Sequence, residues 1–204
     1  MNSNNLTNNL TPNEAKNILI EGNNRFINNT LKNKNFSIAN KVNLCKNGQK
    51  PIATILSCSD SRVPPEIIFD QGLGDLFVIR NAGNVVDNVT LGSIEFGIQV
   101  LKTPIVIVLG HMHCGAVIAA VDDNKNITTN INSIINLIKP SCENLNSQDL
   151  SANDKYDLCE NENILNSVKK IKKNISIINK LEENNEILLL GAKYNIRSSK
   201  IEFL

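Results

Sequence analysis

Ile52-Ala53-Thr54-Ile55-Leu56-Ser57-Cys58-Ser59-Asp60-Ser61-Arg62 begins as an apolar run and ends in reactive side chains. The run is short, continuous and rich in β-branched residues, the pattern of a strand buried on both faces of a parallel sheet. Pro104-Ile105-Val106-Ile107-Val108-Leu109 repeats it, and Gly110-His111-Met112-His113-Cys114-Gly115 follows at once. Open parallel sheets bind ligands beyond the carboxyl ends of their strands. Two separate strands thus deliver Cys58, His111 and Cys114 to the same kind of location. Two thiols and an imidazole suit Zn²⁺, a borderline-soft ion that takes sulfur and nitrogen in a tetrahedron. A structural zinc usually closes with four such ligands. Here there are three, with Asp60 two residues after Cys58, so the fourth position is left to water or to Asp60. A catalytic zinc needs a position of that kind.

Outward from these two runs the chain alternates strand and helix. Thr11-Pro12-Asn13-Glu14 is a helix start, with Thr as N-cap, Pro at the first helical position and Glu three after the cap. Ala15, Ile18 and Leu19 lie on one face of that helix, and a polar stretch then runs to Lys50. Asp75–Ile79 reads as a second strand, Leu91–Leu101 as a helix, and Gly115–Val121 as another after the Ile105–Leu109 strand. Residues 140–161, rich in Ser, Asn, Asp and Glu, read as a surface excursion. Ile164, Val168, Ile171, Ile175 and Ile178 recur at steps of three and four and predict one docked helix, with Lys169, Lys170, Lys172 and Lys173 on its solvated face. Glu186–Leu190 is a fourth strand and Lys200–Phe203 a short terminal one. The expectation is an α/β fold: a mostly parallel central sheet of four strands plus a terminal edge strand, flanked by helices. Residues 1–10 are expected to be a disordered tail and 11–204 a single domain.

The 204 residues are 41% apolar, enough for one domain with a sizeable core. A formal net charge of +1 gives no electrostatic case for a nucleic-acid partner. No apolar run is long enough to span a bilayer, and Met1–Asn9 lacks the basic and apolar regions of a signal peptide. The default is a cytoplasmic protein with no membrane partner. Of five cysteines, the zinc would claim two. Cys45, Cys142 and Cys159 are then expected to remain incidental thiols in a reducing compartment.

C-x-D-x-R at Cys58–Arg62 and H-x-x-C at His111–Cys114 together resemble the motif pair of the β-class carbonic anhydrases. The resemblance runs from about Ile18 to the C-terminus. It takes in Gly22-Asn23-Asn24-Arg25-Phe26, Arg80-Asn81-Ala82-Gly83-Asn84 and Gly191-Ala192-Lys193-Tyr194. It implies reversible hydration of carbon dioxide to bicarbonate and a proton by zinc-bound hydroxide. Cys58, His111 and Cys114 would be the zinc ligands, with Asp60 and Arg62 a catalytic dyad that orients the nucleophile. Arg62 would keep Asp60 ionised by a forked ion pair; if it let go, Asp60 could become the fourth zinc ligand and close the site. Ile55 stands where the closed, bicarbonate-responsive members have Trp, which favours the open type.

The resemblance also implies substrate-pocket roles for Gln49, Phe77, Ala82, Phe96 and Gly115. Phe96 stands where many members have Tyr, and Ala82 where some have Val. Because the family's pocket lies at a dimer interface, a homodimer or a dimer-based larger oligomer is expected. His113 is expected to turn away from the metal and hydrogen-bond locally; Ser59 and Ser61 read as turn residues supporting the dyad. Asn195 and Ser198-Ser199 depart from the family's C-terminal pattern, which touches the last hairpin and leaves the zinc chemistry alone. The motifs leave open a same-fold zinc enzyme acting on carbonyl sulfide or carbon disulfide. A non-catalytic zinc-binding module would have no use for the Asp60–Arg62 pair. A cysteine-nucleophile phosphatase or sulfurtransferase would want a longer loop between Cys58 and Arg62.

Overall fold

The computed structural model describes residues 10–123, 128–143 and 150–204. Its five strands are β1 (Ala53–Cys58), β2 (Leu76–Asn81), β3 (Ile105–His111), β4 (Leu188–Tyr194) and β5 (Ile201–Phe203), in the order β2-β1-β3-β4-β5. The first four are parallel, and β5 pairs antiparallel with β4 at the edge. This is the single-domain α/β sheet that the apolar runs predict. β1 and β3 are buried along their whole length because both faces of the sheet are covered. Ile55, Ile107 and Leu109 enter one apolar cluster with Ala15, Leu19 and Phe69. Leu56, Val106 and Val108 enter the opposite one with Ile94, Ile98, Ile164 and Ile171. Each such side chain contributes roughly 1.5–3 kcal/mol on burial, and the alternation fixes which residues reach the strand ends on which face.

Helix α1 (Pro12–Ile27) starts where the sequence predicts: the Glu14 amide donates to Thr11 Oγ1, and Glu14 Oε2 accepts from the Thr11 amide. Ala15, Leu19 and Gly22 lie on its buried face. A Cβ at Gly22 would stand 1.8 Å from the carbonyl oxygen of Phe69, so α1 crosses the end of α3 (Pro65–Ile68) backbone against backbone. The polar stretch before Lys50 contains α2 (Ile38–Asn47), capped by Ser37. None of its residues is buried, so no apolar period announces it. α4 (Asn88–Gln99), capped by Asp87, starts three residues before the expected helix, and α5 (Gly115–Val121) falls as expected. α6 (Thr129–Ile138) was not foreseen.

The reading of 140–161 as a surface excursion is corrected. α7 (Ala152–Asn174) begins inside it and buries Cys159 and Glu160; residues 144–149 lie outside the described residues. The single helix expected through Ile178 is two. Ile175 leaves helical geometry after Asn174, and α8 (Ile177–Glu183) follows. The apolar steps run across the break because Ile171, Ile175 and Ile178 all pack into the same cluster. Cys142 and Cys159 are joined as a disulfide rather than left as thiols, their Cα atoms 5.1 Å apart, within bridging range. Cys45 remains free and exposed. The expected tail at residues 1–10 lies, up to Asn9, outside the described residues. Among the described residues, no helix is long and apolar enough to cross a membrane.

Candidate metal centre

Cys58 closes β1 and His111 closes β3, and these strands are direct neighbours with Ser57 paired to Leu109. Sheet pairing alone therefore brings the two side chains to one end of the sheet. The chain then turns sharply: His113 adopts a positive φ of 55°, and Cys114 becomes the N-cap of α5 with its sulfur turned back. The Met112 amide donates to the Tyr194 carbonyl at 3.0 Å and ties the turn to β4. One ligand atom from each of Cys58, His111 and Cys114 lies within 4.8 Å of the others, and all three residues are buried. The sulfurs are 3.9 Å apart. Two thiolates each about 2.3 Å from a tetrahedral zinc stand about 3.8 Å from one another, so the spacing already fits.

His111 supplies a second test of fit. Its Nδ1 is 2.9 Å from the Met112 carbonyl, an acceptor only, so Nδ1 carries the proton. Nε2 is buried, with no hydrogen-bond partner. A buried nitrogen lone pair beside two sulfurs is an unsatisfied polar group, and a soft cation would satisfy it. The thiols point the same way. A hydrogen bond joins the two sulfurs and, working against burial, holds Cys58 far below an ordinary thiol. The same bond, with burial, pushes Cys114 up. A metal takes such thiols as thiolates and releases their protons. The Gly83 amide also donates to Cys58 Sγ, at 3.3 Å.

Asp60 and Arg62 follow β1 on the exposed side of this group. Arg62 Nε donates to Asp60 Oδ1 at 2.9 Å and Nη2 to Oδ2 at 2.7 Å, and the Arg62 amide caps Oδ1 at 2.9 Å. Those bonds from Arg62, opposed by partial burial, hold the Asp60 carboxyl at about 2. Arg80 fixes the loop from beneath, with Nε on the Cys58 carbonyl at 3.1 Å and Nη2 on the Asp60 carbonyl at 2.8 Å. Its place in the Arg80–Asn84 motif is the sequence signal for this support.

The remaining predicted positions divide. Ala82 adjoins Gly83, and Gly115 follows Cys114; both are exposed beside the group, and a Cβ at Gly115 would meet open space. Gln49 is exposed and precedes β1, whose six residues carry Cys58 at the far end of a strand roughly 17 Å long. Phe77 pairs with Thr54, four residues along the ladder from the Cys58–Asn81 pair, and its ring stacks on Phe96 at 5.9 Å. Phe77, with Phe96 stacked on it, thus stands about 13 Å along the strand from the Cys58 level. His113 lines a separate pocket of about 260 Å³ with Asn153, Tyr156 and Arg197; among the described residues its side chain makes no local hydrogen bond. Two buried residues absent from the sequence reading, Glu160 and Asn163 of α7, touch the backbone around both cysteines. They sit in an acidic, Asn-rich run whose composition resembles solvated surface.

A parallel sheet with a buried Cys-His-Cys group and a paired Asp-Arg at its carboxyl end defines the β-class carbonic anhydrase type. The chain belongs to the carbonic anhydrase family: the family's model matches residues 53–201. It is 44% identical over 136 residues to carbonic anhydrase 2 of Mycobacterium tuberculosis, covering 65% of each chain. The chain thus spans just under two thirds of that curated relative. Among solved structures, the β-carbonic anhydrase CcaA superposes with a TM-score of 0.73 at 25% identity, over 93% of this chain and 91% of that one. A tetrameric β-carbonic anhydrase of Sordaria macrospora gives 0.72 at 24%, over 82% and 87%, and is alike in fold. The β-class enzymes are zinc enzymes, and the Cys58-His111-Cys114 group is able to hold that ion.

Proposed function

We propose that this chain catalyses the reversible hydration of carbon dioxide to bicarbonate and a proton, with zinc held by Cys58, His111 and Cys114. The observation that carries the reading is the forked Arg62–Asp60 pair beside the buried Cys-His-Cys group. A metal site that only stabilises the fold has no use for an ionised, immobilised carboxylate. When bound, zinc supplies Lewis acidity that lets water act as a nucleophile near neutral pH. Asp60, ionised at any pH well above 2, accepts a hydrogen bond from that water and so aims a lone pair at the carbon of CO₂. Arg62 holds Asp60 to this task and away from direct ligation. Attack forms bicarbonate, and one proton leaves to solvent. Two thiolates and a neutral imidazole cancel the charge of a dication, so the anionic product is not retained by net charge.

The active unit is a homodimer in which Gln49, Phe77 and Phe96 complete the pocket of the other subunit. The distance of Phe77 and Phe96 along the strand from the Cys58 level supports this, as does the apolar face of α4. Val89, Phe96 and Val100 on that face are 77%, 45% and 59% exposed. Carbon dioxide hydration by stopped flow, with metal analysis on the same sample, tests the function. Activity proportional to about one zinc per chain supports it, and zinc-loaded protein inert toward carbon dioxide overturns it. Cys58→Ser is expected to lose metal and activity together.

A further inference from the structure

One face of α7 grips the backbone around both cysteine ligands. Glu160 and Asn163, one helical turn apart and each 3% exposed, point inward from it. Glu160 Oε1 accepts the Cys114 amide at 3.1 Å. Asn163 Nδ2 donates to the Gly83 carbonyl at 3.0 Å, and the amide of the same Gly83 donates to Cys58 Sγ at 3.3 Å. The other oxygen of Glu160 is also committed: Oε2 pairs with Lys193 Nζ of β4 at 2.8 Å. Lys193 is 9% exposed and also pairs with Asp157 at 2.7 Å. Next to Glu160, the disulfide from Cys159 to Cys142 anchors this turn of the helix.

Cys114 has particular need of such a hold. It follows the left-handed His113, and its sulfur is turned toward Cys58 and so makes no side-chain cap for α5. Its carbonyl accepts the Ile118 amide of α5 at 2.9 Å, and its amide is held by a side chain, that of Glu160. Gly83 has a positive φ of 72°, and a Cβ there would meet Ile138 at 2.7 Å, so the turn that donates to Cys58 is confined on its other side. A buried carboxylate would be expensive if its only purpose were one neutral hydrogen bond. Lys193 neutralises it without adding charge to the ligand group.

We propose that Glu160 and Asn163 are positioning residues for the metal: together they set the separation of Cys58 and Cys114, with Lys193 seating Glu160. The inference rests on the zinc reading above and concerns metal affinity and geometry, not turnover. Outer residues that orient metal ligands typically govern 10- to 100-fold in affinity.

The test is zinc affinity by competition with a chromophoric chelator, on wild type, Glu160→Ala, Glu160→Gln, Lys193→Met and Asn163→Ala. It is read at a temperature where circular dichroism shows every chain compared to be folded. The absorption of the cobalt-substituted proteins is recorded alongside. Glu160→Ala and Asn163→Ala are each expected to weaken zinc about tenfold or more and to shift the thiolate-to-cobalt absorption. Glu160→Gln, whose amide oxygen can still accept from Cys114, is expected to recover part of the loss. Should Glu160→Ala fail to fold, Glu160→Gln and Asn163→Ala decide: wild-type affinity and spectrum in both overturn the proposal. So does any result in which Glu160→Ala only melts at lower temperature. Wild-type protein that binds no zinc would overturn the zinc reading along with it. Zinc-loaded wild type with unaltered α7 variants would overturn this inference alone.

Discussion

Oδ2 of Asp60 stands 3.9 Å from Nε2 of His111 while Arg62 holds that same oxygen at 2.7 Å. The carboxylate is therefore within a short swing of the ligand group, and the guanidinium restrains it. Arg62 is itself exposed and gains its position from Asp60.

Arg62→Ala should free Asp60 to close on the metal. The expected outcome is retained zinc with a fall in carbon dioxide hydration of ~10²-fold, the scale of losing a preorganised charge at a reacting centre. Kinetics and zinc content on one sample check it; near-normal turnover with full zinc would show Arg62 to be structural.

Phe96→Arg places a charge in the apolar face of α4, where Val89 and Val100 are also exposed. Sedimentation should find wild type dimeric and the variant shifted to monomer. Zinc should stay bound, and activity should fall by about tenfold or more, as for a truncated interface anchor. A fully active monomer would contradict the shared pocket.

Asp70 is one source of stability that acid should remove. Burial acts to raise its carboxyl, and the Lys34 ammonium, the Arg25 guanidinium and the Lys32 amide overcome it, so the folded value lies below the ordinary 3.8. A group depressed on folding contributes its full stability above the unfolded value and loses it as pH falls through the folded one. Asp70→Asn should thus be less stable at pH 7 by roughly 3 kcal/mol, the scale of a broken buried pair. That gap should narrow below pH 4. Urea unfolding across pH measures it; a gap independent of pH would refute the assignment.

Cys142 and Cys159 close a loop of sequence separation 17. Protein denatured without reductant should titrate three thiols of its five cysteines, and reduction should lower stability by about 3 kcal/mol. Five free thiols in protein taken from a reducing cytoplasm would remove the bond from the working state. Disulfides persist in oxidising compartments, so this count also tests the expected location.

The parallel sheet and the Cys-His-Cys group are legible because each depends on local signals. Ile52–Leu56 and Ile105–Leu109 are apolar on both faces, and each ligand motif follows directly. α2 is illegible because it buries nothing. The start of α7 is hidden because Glu160 and Asn163 are polar residues buried by specific partners, Cys114, Lys193 and Gly83, distant in sequence. The Cys142–Cys159 pairing escapes for a similar reason: it depends on how the segment after α6 meets α7. Gln49, Phe77 and Phe96 are attached to the pocket by family resemblance alone, and the strand register sets Phe77 four residues along the ladder from the Cys58–Asn81 pair.

The pairing of β1 with β3 has a consequence for how the chain finds its native state. Both strands are buried on both faces, so most of their length offers hydrocarbon to either side, and the register is marked mainly by a few close fits such as Thr54 against Thr103 at 2.8 Å. Oil-like attraction alone discriminates poorly between neighbouring alignments. A one-residue slip nevertheless turns every side chain to the opposite face. Cys58 and His111 would then look away from each other, and Cys114, 56 residues from Cys58, could not bring the trio together. Only the native register of β1 on β3 can therefore assemble the Cys58-His111-Cys114 group.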